Sequence, residues 1–190
     1  AYTQVRFEAA PAFSDYHPDA PGGTPGGRSI LTQPVSATIL GSDIDKLRPP
    51  RPELTLYGLA IGSGKELWHF YRATQRLESF LYVAKRLVKF GFDRSVRGRS
   101  MLLTNGNALA GRLAKSAFDL NIPLWLNSPV RELIVDNGVV RGAIVVREGH
   151  TIRVNAKRGV VLACGGFPHD VARRQKMFPH APTGKEHYSP

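Results

Sequence analysis

Gly159-Val160-Val161-Leu162-Ala163-Cys164-Gly165-Gly166-Phe167 is an apolar run that ends in paired glycines. A short run of Val, Leu and Ala of this kind predicts a strand buried on both faces, the usual state of a strand in a parallel sheet. Open α/β sheets bind ligands beyond the carboxyl ends of their strands, and residues without a Cβ let a ligand approach the backbone there. The stretch points to the α/β class, with a candidate ligand edge at Ala163 to Gly166.

Turn chemistry organises what comes before it. Asp136-Asn137-Gly138 is a strong hairpin signal, because Asn-Gly supplies the positive φ angles of a tight turn that matches strand twist. Val130 to Val135 then reads as one strand and Val139 to Arg147 as its return. Glu148-Gly149 makes a second two-residue turn, after which Ile152, Val154 and Ala156 alternate onto one face of His150 to Ala156. The result is a three-stranded antiparallel meander. A further short strand is expected from Ile122 to Asn127.

Helices are expected earlier in the chain. From Lys65 to Phe90, apolar residues including Leu67, Trp68, Phe70, Leu77, Phe80, Leu81, Val83, Leu87 and Val88 recur at helical spacing. This predicts an amphipathic helix or a broken pair, with the aromatic stripe packed into a core. Lys85, Arg86, Lys89, Arg94, Arg97 and Arg99 form the densest basic cluster and read as a solvated face. A second helix is expected from Asn107 to Leu120, with Leu109, Leu113, Ala117 and Leu120 on one face and Thr104 or Asn105 as its cap. Residues 1 to 60 are broken by Pro18, Pro21, Pro25, Pro34, Pro49, Pro50 and Pro52 and read as irregular chain laid on another scaffold.

The bulk properties fit a soluble globular domain with a core: 190 residues, of which 42% are hydrophobic. No apolar run approaches the roughly 20 residues needed to span a bilayer. With Cys164 as the only cysteine there is no internal disulfide, so a reducing compartment is permitted. A cytoplasmic location is expected, with peripheral membrane contact as the alternative. Because the chain starts at Ala1 and stops at Pro190 without a capping or stop pattern, it reads as a piece of a longer protein. The net charge of +11 is compatible with nucleic acid, anionic lipid or phosphorylated ligands.

Several chemistries lack their residues. Gly106 to Gly111 has the glycine spacing of a phosphate-binding loop, but Arg112-Leu113 stands where that loop needs Lys and Ser or Thr. The Gly-x-Gly-x-x-Gly dinucleotide fingerprint is absent. His17, His69, His150, His169, His180 and His187 are scattered without a helical His-x-x-x-His pair, so no metal site is expected. Gly62-Ser63-Gly64 falls short of a nucleophile elbow.

Ser14-Asp15-Tyr16-His17-Pro18, Pro21-Gly22-Gly23, Gly27-Arg28-Ser29, Gly106 with Ala108-Leu109 and Arg112-Leu113, Ser128-Pro129-Val130, and Val160 to Phe167 occur in that order. Together they resemble the flavoproteins that include 3-ketosteroid Δ1-dehydrogenase and fumarate reductase, with Asp-Tyr-His-Pro and Pro-Gly-Gly leaning toward the ketosteroid branch. The resemblance implies a partial FAD-binding domain of the glutathione-reductase type, in which a parallel sheet carries a β-meander. All of 1–190 would then be one partial domain. Residues 1–60 would form an irregular active-site segment, 65–120 the helices, 122–166 the strands and meander, and 167–190 the exit toward a substrate domain outside this chain. An N-terminal part carrying the first βαβ unit would also lie outside it.

For the site, the resemblance implies that the backbone at Val130 meets the adenine edge of FAD and that Ala163, Cys164, Gly165 and Gly166 lie along the cofactor. Tyr16 is the one catalytic residue it carries over, a tyrosine beside the flavin that assists a second tyrosine of the substrate domain. The expected activity is removal of a proton and a hydride from adjacent carbons of a ketone substrate, steroid-like in one branch and dicarboxylate in the other. A different class of reading is a basic module that uses the Lys85 to Arg99 cluster on nucleic acid or another anion; that reading predicts aromatics interleaved with charge on an exposed face.

Overall fold

A computed structural model describes residues 3–167, 170–178 and 180. Of the expected 167–190 exit segment, Pro168, His169, Pro179 and 181–190 lie outside the described residues. The chain divides into two compact units, with the boundary after Leu126.

The first unit begins with β1 (Phe7–Ala9) and β2 (Ile30–Thr32), paired antiparallel, and continues through β3 (Val35–Ser36) into 3-10 turns over Ala37–Lys46. A two-stranded hairpin follows, β4 (Thr55–Leu56) and β5 (Leu59–Ala60), then helices α1 (Lys65–Tyr71) and α2 (Leu77–Arg97). β6 (Leu102–Leu103) pairs antiparallel with β3 and leads into α3 (Asn105–Asp119). The core gathers where these meet: Ala37, Leu40, Met101, Leu103 and Ala108 are buried together, with Val35, Ile39, Ile44, Leu47, Ala114 and Phe118 against them.

Of the two expectations for residues 65–90, one amphipathic helix or a broken pair, the structure has the pair, and the two helices are joined by side-chain contacts. His69 Nδ1 lies 3.2 Å from Ser79 Oγ, and its ring stacks on Tyr82 with centroids 4.4 Å apart, so α1 is tied back onto α2. α2 stops at Gly98, whose left-handed conformation lets its N–H return to the Arg94 carbonyl.

The faces of the helices differ from expectation. The residues of α2 that are buried are Ser79, Arg86 and Asp93, while Leu77, Phe80, Leu81, Val88 and Phe92 are exposed, Phe80 by 55%. In α3 the buried residues are Ala108, Gly111, Arg112 and Ser116, and Leu113 and Leu120 of the expected apolar face are exposed. Each inward polar group is held by a specific bond, which offsets the cost of burying it. Arg112 donates to the Gln4 and Pro34 carbonyls at 3.0 and 3.3 Å, Ser116 Oγ accepts the Gln4 N–H at 3.0 Å, and Asp93 accepts the Met101 N–H at 3.2 Å. These anchors are the scaffold on which the proline-broken N-terminal segment lies.

Of the basic cluster, Arg86 is buried and Arg99 half-buried, while Lys85, Lys89, Arg94 and Arg97 are exposed. Arg86 is buried against Glu66, Lys89 lies 3.4 Å from Asp93, Arg94 donates to the Tyr57 carbonyl at 3.1 Å, and Arg99 donates to the Ile44 and Leu47 carbonyls at 3.1 and 3.0 Å. Apart from Arg86 and Arg99, it is the solvated face expected. The helix cap also differs: Thr104 makes no side-chain cap bond, and Asn105 instead joins the Ser63 N–H and the Ile61 carbonyl at 3.0 Å each.

The second unit is the meander: β7 (Val130–Asp136), β8 (Val139–Arg147) and β9 (His150–Asn155), in the order β7-β8-β9, followed by a short helix α4 (Val171–Met177). Asn137 and Gly138 both take positive φ, 49° and 77°, as do Glu148 and Gly149 at 52° and 79°, so both turns are of the mirror-image type that strand twist favours. Ala143 pairs with Leu133 on one side and Val154 on the other, which places the three on one face.

Two strand expectations are corrected. Residues 122–127 form no strand, since Ile122 still donates to the Ala117 carbonyl of the helix end, Pro123 has no N–H to give, and Asn127 takes a φ of 49°. Residues 159–167 carry no strand pairing, with Val161 exposed by 90%, and the four sheets among the described residues are all antiparallel. A doubly buried strand needs a neighbour on each edge, and no described strand pairs with this segment. Among the described residues no helix is long and apolar enough to cross a membrane, and no group of His, Cys, Asp and Glu is arranged to hold a metal ion.

Candidate functional site

The second unit contains a cavity of about 570 Å³ between the start of the meander and the glycine-terminated run. Its walls are Val130, Arg131, Glu132, Leu133 and Ala143 on one side and Val160 to Cys164 on the other. Three of the residues singled out in the sequence, Val130, Ala163 and Cys164, therefore line one space although they lie on separate segments. Gly165 and Gly166 follow directly and are exposed, and Gly165 takes a φ of 75°, a conformation that L side chains rarely adopt.

Local structure explains why this wall is open to a ligand. Among the described residues β7 pairs with β8 alone, so its outer edge offers backbone N–H and C=O groups that no described strand takes up. The register shifts between Val130 and Glu132, so Arg131 is an extra residue that bends the strand where it meets the cavity. The Val146 N–H donates to the Pro129 carbonyl at 3.0 Å, fixing the approach of the chain into β7. On the facing segment the side chains are Val, Val, Leu, Ala and Cys, with Cys164 a free, exposed thiol. An apolar slot with backbone polar groups along its rim suits a flat ring system with polar edges.

Arg131, Glu132, Leu133 and Ala143 were not anticipated as site residues. Their signal was present in the strand reading itself: Arg131 to Leu133 continue from Val130 on one strand, and Ala143 is the small residue opposite Leu133. Residue spacing alone does not show that Val160 to Cys164 folds against that strand.

Tyr16 belongs to the first unit, where its side chain is fully exposed. It sits in a loop closed by its neighbour: Asp15 Oδ2 accepts the Thr24 N–H at 3.1 Å and pairs with the Arg28 guanidinium. The hydrogen bond from Arg28 holds the Asp15 carboxyl below the usual carboxylate range and lifts the guanidinium further above its own. The pair thus remains charged throughout the neutral range.

Deeper in the same unit Glu66 and Arg86 form a buried ion pair, with Arg86 Nε donating to Glu66 Oε1 at 2.6 Å and the Gly62 N–H donating to Oε2 at 2.5 Å. Tyr82, beside it, has its phenol pKa pushed up, first by burial and next by the Glu66 charge.

Comparison with known proteins gives the family of the chain. A family model described as FAD binding domain matches residues 13–190. The chain is 40% identical over 189 residues to 4-oxocyclohex-2-ene-1-carboxylate 5-dehydrogenase of Sinomonas cyclohexanicum, covering 99% of this chain and 32% of that protein. It is 34% identical to 3-oxosteroid 1-dehydrogenase of Mycobacterium tuberculosis, covering 97% of this chain and 33% of that protein. The crystal structure of 3-ketosteroid Δ1-dehydrogenase from Sterolibacterium denitrificans, in complex with 1,4-androstadiene-3,17-dione, superimposes with a TM-score of 0.75 at 30% identity, covering 92% of this chain and 32% of that one. The chain spans about a third of the length of the curated relatives it matches.

Proposed function

The chain belongs to the FAD binding domain family, and on that premise we propose that it is the interior part of the FAD-binding region of a flavin-dependent dehydrogenase acting on a ring ketone. The observation that supports this most is the cavity at which Val130, Ala163 and Cys164 come together. Its residues fit part of the cofactor. The unpaired edge of β7 suits the hydrogen-bonding rim of adenine, and a Cβ placed on Gly165 would meet nothing within 4 Å, so the backbone there stands open to a long ligand. The cavity takes only one portion of an FAD, and the phosphate-binding fingerprint would come from the rest of the intact protein. That part would also supply the parallel strands that flank residues 159–166, as in the glutathione-reductase-type fold.

Bound FAD would accept a hydride at N5, the electron chemistry that this chain's side chains cannot perform. The substrate would lose a proton from the carbon next to its carbonyl and a hydride from the adjacent carbon, leaving a C=C bond. Tyr16 would stand beside the reacting ring and pass a proton through its hydroxyl to or from the tyrosine that abstracts it, which lies elsewhere in the intact protein. A phenol serves in this way by relaying the proton along a hydrogen bond. The names of the relatives, an oxocyclohexene carboxylate and 3-oxosteroids, share a six-membered ring ketone, which favours that substrate class over a dicarboxylate.

The intact protein, expressed and purified, should be yellow, with the visible absorption bands of bound flavin. A colourless protein that stays so after incubation with FAD would overturn the reading. Gly165→Val should lower flavin content several-fold, because a β-branched residue at a φ of 75° is strained and its side chain would project where the cofactor runs. Full flavin occupancy in that variant would remove Gly165 from the site.

A further inference from the structure

We propose that Asp15 and Arg28 form a positioning clamp that fixes where Tyr16 is presented. The proposal rests on the catalytic reading of Tyr16 and goes beyond it, since neither partner of the clamp is needed for the chemistry itself.

Asp15 closes the loop with its backbone N–H and one carboxylate oxygen. Its N–H donates to the Thr24 carbonyl at 3.1 Å, and its Oδ2 accepts both the Thr24 N–H at 3.1 Å and the Arg28 guanidinium. One residue thus ties together positions 15, 24 and 28. Within the loop, the Ala20 N–H donates to the His17 carbonyl at 3.2 Å and the Gly23 N–H to the Ala20 carbonyl at 2.7 Å, so the chain folds through two consecutive turns. Thr24 Oγ1 donates to the Gly26 carbonyl at 2.8 Å.

The loop is closely packed at two of its glycines. A Cβ on Gly23 would lie 2.6 Å from the Pro18 carbonyl oxygen and would collide with that of His17, and one on Gly26 would collide with the Pro11 carbonyl oxygen. Tyr16 follows Asp15 directly, so its Cα is fixed one peptide bond from the tie point while its ring is left exposed. A proton relay needs its oxygen held to within a fraction of an ångström, and a displacement of about 1 Å can cost on the order of 10²-fold in rate. The clamp contributes the backbone part of that precision, fixing the point from which the phenol is presented, and a loop without it would present the same phenol over a wider range of positions.

The test uses the intact enzyme and five variants, Tyr16→Phe, Arg28→Met, Arg28→Lys, the double variant Tyr16→Phe/Arg28→Met and Asp15→Asn. Arg28→Met should lower kcat about tenfold or more with KM and flavin content unchanged, and Arg28→Lys should recover part of the loss. In the Tyr16→Phe background Arg28→Met should cost nothing further, because there is no phenol left to position. A full additional loss in that background, or unchanged kcat in Arg28→Met alongside a slowed Tyr16→Phe, would overturn the clamp. Amide exchange at Thr24 supplies a readout independent of turnover: Asp15→Asn should accelerate it about tenfold or more, and unchanged exchange would also overturn the clamp. If Tyr16→Phe itself turns over normally, the catalytic reading fails instead, and the exchange measurement still decides whether the loop is clamped.

Discussion

Tyr16→Phe in the intact protein is expected to lower turnover by about 10²-fold, at the lower end of what one positioned proton donor or acceptor contributes, while flavin content and spectrum stay as they are. The substitution removes one oxygen from a fully exposed ring, so no core contact is lost and stability should hold. Loss of an interaction made mainly in the transition state lowers kcat and kcat/KM together and leaves KM in place. Stopped-flow reduction of the bound flavin by a ring-ketone substrate reads the chemical step directly. Unchanged reduction would take Tyr16 out of the mechanism, and loss of flavin would show that its role lies in cofactor binding.

Glu66→Ala is expected to destabilise the protein by about 3–5 kcal/mol, the cost of stranding one partner of a buried ion pair. Both side chains are less than a tenth exposed. The carboxylate is bonded on both oxygens, to Arg86 and to the Gly62 N–H, while Arg86 has a further bond only to the Ala60 carbonyl at 3.3 Å and leaves Nη1 buried without a partner. Removing the carboxylate therefore buries an uncompensated cation. Replacing both residues together, Glu66→Leu with Arg86→Met, should cost less than Glu66→Ala alone, which denaturant titration of the three proteins would show; equal or greater loss in the double variant would argue against the pair as the cause.

The same site carries a pH signature. Because the Tyr82 phenol is pushed up in the folded state, its contribution to stability is present below its ordinary pKa of about 10 and declines as pH rises through the higher folded value. Glu66→Ala should bring the Tyr82 titration down, since it removes the second cause of the rise and leaves burial, the first.

Local chemistry made much of the second unit legible. Asn137-Gly138 and Glu148-Gly149 specify their turns within two residues each, and the alternation of Ile152 and Val154 sets which face of β9 looks which way. The inward faces of the helices were not legible. An apolar periodicity in α2 predicts that Phe80 and Val88 are buried, yet Ser79, Arg86 and Asp93 are the buried positions. The partners that draw them in are set by how segments meet: Glu66 is 20 residues from Arg86, and Gln4 is 108 residues from Arg112. Spacing along one helix carries no information about such partners. For the candidate site, the glycine-terminated run and Val130 were legible as separate signals, and their meeting was not.

The sequence by itself determined the meander, the helical character of residues 65–90, the α3 helix and, through its ordered motifs, the family to which the chain belongs. Each of these rests on interactions within a few residues or on a pattern that survives without coordinates. Tertiary structure alone decided that Val130, Ala163 and Cys164 share a cavity, that polar rather than apolar faces of α2 and α3 turn inward, and that residues 159–167 run without strand partners among the described residues. Burial and pairing are properties of what comes to lie alongside a segment, and that is set by the packing of distant parts of the chain.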